Sequence, residues 1–344
     1  MLQLINETPF AAERAVLADL DGAELWVVVV KGTWTFSAET GDLQLAEDQV
    51  PVCLVDEYVG KPGKSSLMYD CDLTFRKPGT DIILHGHAVA PDGDLVTSLD
   101  VSLAVGDLNK TIRVFGDRRW CRSPLGPVPS SPGRFSRIPL VYERAYGGED
   151  PHETDTEQRA SDQRNPVGSG FATQAASLID LPVPNLEAPD DLISNWRSRP
   201  RPMGFGPIAR NWVPRITYAG TYDERWRRER LPFYPDDFQC EFFLSSPRDQ
   251  VARPHLRGGE KVCMRNLTSS GLLAFNLPRV TLGFSTLFAG RRVNHPATLG
   301  TVILKPDQSQ LVLVWHTMLR CPRRHLDIVE TLVFQKSRIR GIEQ

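Results

Sequence analysis

The sequence has no CxxC pair, no charge excess of either sign, no apolar run long enough to cross a bilayer and no internal repeat. Each absence removes a class. Lys+Arg 40 against Asp+Glu 42 leaves a formal net charge of -2. That balance argues against a dedicated nucleic-acid binder and against a polybasic membrane anchor. The most apolar run, Leu25 to Val30, has the length of a strand, not of a membrane helix. The six cysteines, Cys53, Cys71, Cys121, Cys240, Cys263 and Cys321, are dispersed. Their spacing predicts reduced, mostly buried thiols instead of a disulfide framework or a zinc knuckle. Met1 to Ala12 has neither the basic nor the apolar region of a secretory signal. The expectation is a cytoplasmic protein, or one exported without a cleaved signal.

Proline, by contrast, is abundant. The 344 residues contain 27 prolines beside 26 glycines, where roughly 5% proline would be ordinary. Long helices are disfavoured by this and short elements joined by turns are favoured. From Trp26 the even positions Val28, Val30, Trp34 and Phe36 are apolar. The odd positions Leu25, Val27 and Val29 are apolar too, whereas Lys31, Thr33 and Thr35 are polar. That predicts a long strand, buried on both faces at its start and on one at its end. Thr40-Gly41-Asp42 turns the chain into a returning strand at Leu43 and Leu45. A second hairpin is predicted from Ile82 to Val89 through Pro91-Asp92-Gly93 and back from Leu95. Leu99, Val101, Leu103 and Val105 alternate with less apolar residues, and Gly106 to Asn109 turns into Thr111 to Phe115. Leu272 to Leu277 is a candidate strand. Gly300 to Leu304 and Leu311 to Trp315 form a hairpin, and Leu332 to Phe334 adds a last strand. A short helix is expected at Asp223 to Arg230, ending before Pro232.

The fold class expected is mainly β: antiparallel sandwich or barrel-like sheets, long proline-rich connections and a few short helices. Residues 1–150 form an N-terminal antiparallel β region and 151–210 a connecting segment. Glu149 to Asn165, which overlaps the start of that segment, reads as a solvated loop, and within the segment Leu181 to Pro207 is dense in proline. Residues 211–344 form a C-terminal β-rich region packed on the first as one unit.

Candidate chemistry is sparse. Gly63-Lys64-Ser65 matches the end of a phosphate loop, but Tyr58 stands where its first glycine is needed and Pro62 removes a donor, so a turn is the better reading. His85 and His87, two apart on a predicted strand, share a face and offer a metal pair with no third ligand nearby in sequence. No Gly-x-Ser-x-Gly elbow surrounds any serine. Arg225, Arg227, Arg228 and Arg230 cluster around Trp226, with acidic neighbours that suit local ion pairs. Asp117-Arg118-Arg119-Trp120 and Tyr142 to Gly148 mix arginine, aromatics and glycine at strand ends. They suit either a groove or a buried ion-pair network.

On these segments the chain resembles the bacterial domain-of-unknown-function family 2169 (DUF2169), often encoded beside type VI secretion genes. The resemblance runs from Trp26–Gly32 through Asp56 to Leu67, Lys77 to Asp81 and His85-Gly86-His87. It continues through Val114 to Trp120, Pro139 to Gly148, Asn165 to Gly168, Gly204 to Ile208, Gly220 to Asp223 and Gly258-Gly259-Glu260, and reaches about Trp315. It implies a non-enzymatic adaptor or chaperone that holds a type VI effector, or its PAAR-type tip domain, for loading on the VgrG spike. It implies no catalytic residues and no cofactor, and the partners expected are proteins, not nucleic acid or membrane. The partner-binding residues expected are Tyr58, Arg118, Trp120, Arg144, Tyr146, Trp226 and Arg228, as large arginine and aromatic side chains in glycine-containing loops. The alternatives are a metal-dependent hydrolase centred on His85 and His87, or a structural component of the secretion apparatus.

Overall fold

The strand Glu24–Phe36 organises the molecule, and its two faces explain its sequence. The computed structural model describes residues 2–153, 155, 159–321 and 325–336. Glu24–Phe36 lies in a seven-stranded sheet between Ala11–Ala18 and Gln310–Arg320, with Leu43–Leu45 also paired to its end. Beyond Gln310–Arg320 come Thr298–Lys305, Thr80–Leu84 and the short edge strand Val251–Ala252. The contact of Thr80–Leu84 with Thr298–Lys305 is parallel and the other ladders of this sheet are antiparallel. Trp26, Val28 and Val30 point into the main core. Leu25, Val27 and Val29 point into a second cluster with Ile83, Ile303, Val312 and Phe75. Covering on both faces is why both parities are apolar.

The expectation of one buried face at the end of this strand is corrected. Lys31 and Thr33 are buried on the second face. Lys31 Nζ reaches Asp72 Oδ2 at 2.8 Å. Gln49 caps both backbone groups of Thr33, and Val50 N–H donates to the Thr33 hydroxyl. Polar residues are tolerated there because each has a partner.

A five-stranded sheet runs in the order Leu186–Glu187, Leu108–Phe115, Ser98–Val105, Lys261–Arg265 and Leu272–Asn276. A four-stranded sheet runs Gln3–Asn6, Ile328–Gln335, Leu282–Phe288 and Arg291–His295. Both contribute to the main core, through Val101, Leu103 and Ile112 from the first and Phe284 and Val333 from the second. The molecule is therefore mainly β, with several mostly antiparallel sheets and, among the described residues, no closed barrel. Among the described residues the one α-helix is Glu224–Glu229, capped by the Asp223 carboxylate on Trp226 N–H.

The hairpin Ser98–Val105 to Leu108–Phe115 forms as expected, with Gly106 at positive φ in its two-residue turn. The hairpin expected from Ile82 to Val89 and back does not form. Thr80–Leu84 and His87–Val89 are separate strands in different sheets, and His87–Val89 pairs with Arg137–Pro139 instead. The chain breaks at His85-Gly86, where a side chain on Gly86 would lie 2.8 Å from the Pro306 ring.

Of the polar segment Glu149 to Asn165, residues 154 and 156–158 lie outside the described residues. Its base is tied: Asp150 N–H donates to Ala160 O, and Asp162 N–H to Gly148 O. Of the part after Trp315, residues 322–324 and 337–344 also lie outside them. All six cysteines are free, but only Cys53 and Cys321 are buried and Cys121 is exposed, so the expectation of mostly buried thiols is corrected. Burial, then Asp72 and Glu57, pushes the Cys53 thiol up to about 12.

Candidate functional site: a cleft walled by paired arginines

Two of the segments singled out in the sequence meet in space. After Leu108–Phe115 the chain turns at Gly116-Asp117 into the strand Arg118–Cys121. That strand pairs with Pro182–Val183 from the proline-rich segment, Arg118 opposite Val183. Alternation along it decides which side chains face where. Arg118 and Trp120 are buried, and Arg119 and Cys121 are exposed. Trp120 packs with Tyr146, Ala172, Leu178, Val183 and Ile193 in a third, separate core cluster.

Between this lobe and Tyr142 to Tyr146 lies a cleft of about 680 Å³, lined by Asp117, Arg118, Arg119, Glu143, Arg144 and Asn185 among others. Asp117, Arg118, Glu143 and Arg144 on its walls are engaged through their side chains, whereas Arg119 bonds the backbone carbonyl of Asp180. Arg118 Nη2 donates to the Glu187 carboxylate and to Pro184 O, with the guanidinium carbon 4.2 Å from the Phe115 ring centre. Glu187 also accepts Ile193 N–H at 2.6 Å. Arg144 Nη1 lies 3.0 Å from both Asp117 Oδ1 and Asn185 Oδ1. Asn185's amide and then Arg144 hold the Asp117 carboxyl below the usual range. Glu143 accepts Ser66 N–H at 2.7 Å and the Ser66 hydroxyl at 2.8 Å. That bond fastens the Gly60 to Ser66 turn beside the cleft.

That turn also settles Gly63-Lys64-Ser65. The Ser65 hydroxyl accepts Gly60 N–H and donates to Lys61 O, and Lys64 N–H donates to Lys61 O. The hydroxyl that a nucleotide's metal would need closes the turn.

The glycines of Tyr146-Gly147-Gly148 have a steric reason. A side chain on Gly147 would sit 2.2 Å from Asn165 O, and one on Gly148 2.4 Å from Gly168 O. Both have positive φ. Asn165 Nδ2 donates to Tyr142 O and Tyr146 O. Two stretches far apart in sequence thus interlock as bare backbone under the cleft. Gly148→Ala is expected to cost about 1–3 kcal/mol from φ alone, and more from the clash. A fall in urea midpoint of the full chain checks it.

The sequence-based site is only partly assembled. Arg118 and Arg144 line the cleft. Trp120 and Tyr146 are 1% exposed, so they cannot meet a partner directly and that assignment is corrected: they fill the lobe's core. Arg118 is 6% exposed and is a floor residue, not a projecting anchor. Arg119, its outward neighbour, was not among the expected residues, although the period-two rule identifies it. Tyr58 is half-buried and packs against the main core. Trp226 and Arg228 lie elsewhere, on Glu224–Glu229. Trp226 Nε1 donates to Phe233 O at 2.8 Å and its ring meets Tyr222 at 4.7 Å. Arg225–Glu229 and Arg227–Glu224 pair along the helix, the solvated face expected there.

His85 and His87 do not form a pair. His87 Nδ1 lies 2.6 Å from Asp307 Oδ2 and near Arg137. His85 packs edge-on against Tyr69, and burial and then Lys305 push its pKa down to about 4. A neighbouring ammonium opposes any cation there. Among the described residues no group of three His, Cys, Asp or Glu is placed to hold a metal.

A family model described as "Uncharacterized protein conserved in bacteria (DUF2169)" matches residues 21–316. No curated protein and no solved structure matches the chain.

Proposed function

We propose that the chain, which belongs to the DUF2169 family of uncharacterised bacterial proteins, is a non-enzymatic adaptor acting in the cytoplasm. It binds a type VI effector or its PAAR-type tip domain and promotes loading onto the VgrG spike. The role follows from the resemblance in the sequence. The observation that supports binding over catalysis is the state of the cleft's charges. Asp117 and Glu143 on its walls, and Glu187 behind Arg118, already accept bonds from Arg144, Ser66 and Arg118. General acid–base chemistry needs a carboxyl free to exchange a proton with a substrate. A wall of paired charges offers stiffness and shape, which lower the ordering cost of association. No helix among the described residues is long and apolar enough to cross a membrane.

The test is co-expression with proteins encoded by neighbouring genes, followed by affinity purification. Arg119→Glu and Arg144→Ala are expected to lower recovery of the partner at least about tenfold, as truncated interface anchors do, while the thermal melt of Arg119→Glu stays unchanged. Trp226→Ala reads the helix separately. Full recovery with all three variants sinks the cleft and the helix as contact surfaces. Recovery of no secretion protein at all sinks the role.

A further inference from the structure

A second cavity, of about 420 Å³, opens under the short helical turns Arg215–Tyr218 and Cys240–Phe243. Leu108, Ile208, Pro214, Leu244 and Val251 form the apolar part of its wall, beside Arg215, Tyr218, Glu241, Ser246, Arg248 and Arg253. The polar groups of its floor are spent on the fold. Arg215 is buried, and its guanidinium donates to Phe242 O, Ile208 O and Asp70 Oδ2, at 2.8, 2.9 and 2.6 Å. The Ser246 hydroxyl donates to Asp81 Oδ1 at 2.7 Å.

The rim differs. Arg253 pairs with Glu241 at 3.2 Å. Asp249, beside the rim, is taken by Lys110 at 3.0 Å. Arg248 is exposed, lies 5.6 Å over the Tyr218 ring and donates to the Tyr218 hydroxyl. Among the described residues it has no carboxylate partner. The recess therefore presents a partly apolar hole with one guanidinium at its mouth that is held by Tyr218 and lacks a counter-charge among the described residues. A guanidinium stacked on an aromatic ring is pre-oriented to take a carboxylate.

Two features favour a polypeptide over a small acid. Val251 belongs to the outermost strand of the seven-stranded sheet, so a segment entering the recess runs beside a sheet edge. Ile216, in the turn that roofs the cavity, is 43% exposed and extends the apolar surface outward. We infer that this recess is a docking site for an extended peptide segment in which an apolar residue is followed by an acidic one. The apolar side chain fills the cavity and the carboxylate meets Arg248. The site is separate from the arginine cleft and does not depend on which protein that cleft binds.

The test uses the full chain and fluorescein-labelled pentapeptides, acetylated and amidated, with Phe-Asp, Leu-Asp or Trp-Asp at their centre. Anisotropy titration is expected to give saturable binding for at least one. Replacing the apolar residue by Gly, or the Asp by Asn, weakens it about tenfold or more, as loss of one side of a charged contact does. Arg248→Glu does the same without changing the thermal melt, and Arg248→Lys retains part of the affinity. 1-Anilinonaphthalene-8-sulfonate, an apolar anion with no backbone, is titrated in parallel. If it binds in an Arg248-dependent way and no peptide does, the recess is a small-acid site and the peptide assignment is overturned. Equal binding by wild type and Arg248→Glu, or none by either, also overturns it.

Discussion

Acidification from pH 7 to pH 4 is expected to unfold the protein, with the loss concentrated between about pH 6.5 and pH 4. Burial holds three histidines, His85, His295 and His316, down to about 4 from 6.5, with Lys305 adding to the effect on His85 and Lys77 on His316. His295 is fixed between Thr286 and Thr317, and His316 Nε2 faces Asp72 O at 2.8 Å, so neither ring turns to water without a local opening. A folded-state pKa below the unfolded one means that the unfolded chain binds the proton more tightly. Stability is then full above the unfolded pKa and is lost as pH falls toward the folded one. Each histidine accounts for roughly 3 kcal/mol at about 1.4 kcal/mol per pKa unit. Three together rival a typical net stability of about 5–15 kcal/mol. Within the window the slope approaches three protons, about 4 kcal/mol per pH unit. The buried carboxylates act lower down. Burial raises Asp70 and Asp81, but Arg215 and Arg210 in one case and Lys77, Ser245 and Ser246 in the other more than offset it. Both are held below the usual range, so their contribution persists above about pH 3.8 and fades only as pH drops through their folded values. Urea midpoints measured from pH 7 to pH 4 check this. Stability that stayed level down to pH 4.5 would rule out the histidine account, and His295→Asn should lower the slope by about one proton.

His316 also shows how much of this architecture was readable beforehand. The strand that carries it is expected over Leu311 to Trp315, as the return arm of a hairpin from Gly300 to Leu304, and runs Gln310–Arg320. What alternation cannot reveal is the partner. Glu24–Phe36 announced burial on both faces through Leu25 to Val30, yet the burial of Lys31 depends on Asp72, 41 positions away in sequence. The misread hairpin at Ile82 has the same origin. Periodicity continues through His87 and Val89, but Thr80–Leu84 pairs in parallel with Thr298–Lys305, and no local pattern records that. Short-range chemistry fared better: the Asp223 cap, the Gly106 turn and the Ser65 turn all form as local rules require.

The cleft was half legible. Arginine and aromatics in Asp117 to Trp120 and Tyr142 to Gly148 marked the right segments as groove or ion-pair network, and both descriptions hold. Choosing residues by type and not by parity selected Trp120 and Tyr146, which are core, and passed over Arg119. Asn185 and Ser66 gave no signal. They matter through bonds to Arg144 and Glu143, from segments distant in sequence.

Glu187→Ala is expected to be the most damaging single change near the cleft. Its carboxylate is fully buried against Arg118 and also takes Ile193 N–H. Removing it leaves a buried guanidinium without a counter-charge and a backbone donor without an acceptor. Breaking such a pair from one side costs about 3–5 kcal/mol. The damage should propagate, because Arg118 shares its strand with Trp120, and Val183, opposite Arg118, belongs to the same small core. Replacing both partners by apolar residues, Arg118→Met with Glu187→Leu, removes the stranded charge. That double variant is expected to recover the part of the loss due to the stranded charge, while Ile193 N–H stays without its acceptor. Urea midpoints at constant slope measure both. If Glu187→Ala costs less than about 1 kcal/mol, the pair is exposed to water in solution and worth no more than a surface bridge. If the double variant stays as unstable as the single, the ion pair or the bond to Ile193 N–H, and not the stranded charge, holds the lobe that walls the cleft. In the expected case the double variant also separates shape from charge. It keeps the lobe in place while stripping the cleft floor of its guanidinium, so partner recovery with it reports whether Arg118 touches the client or only builds the wall that does.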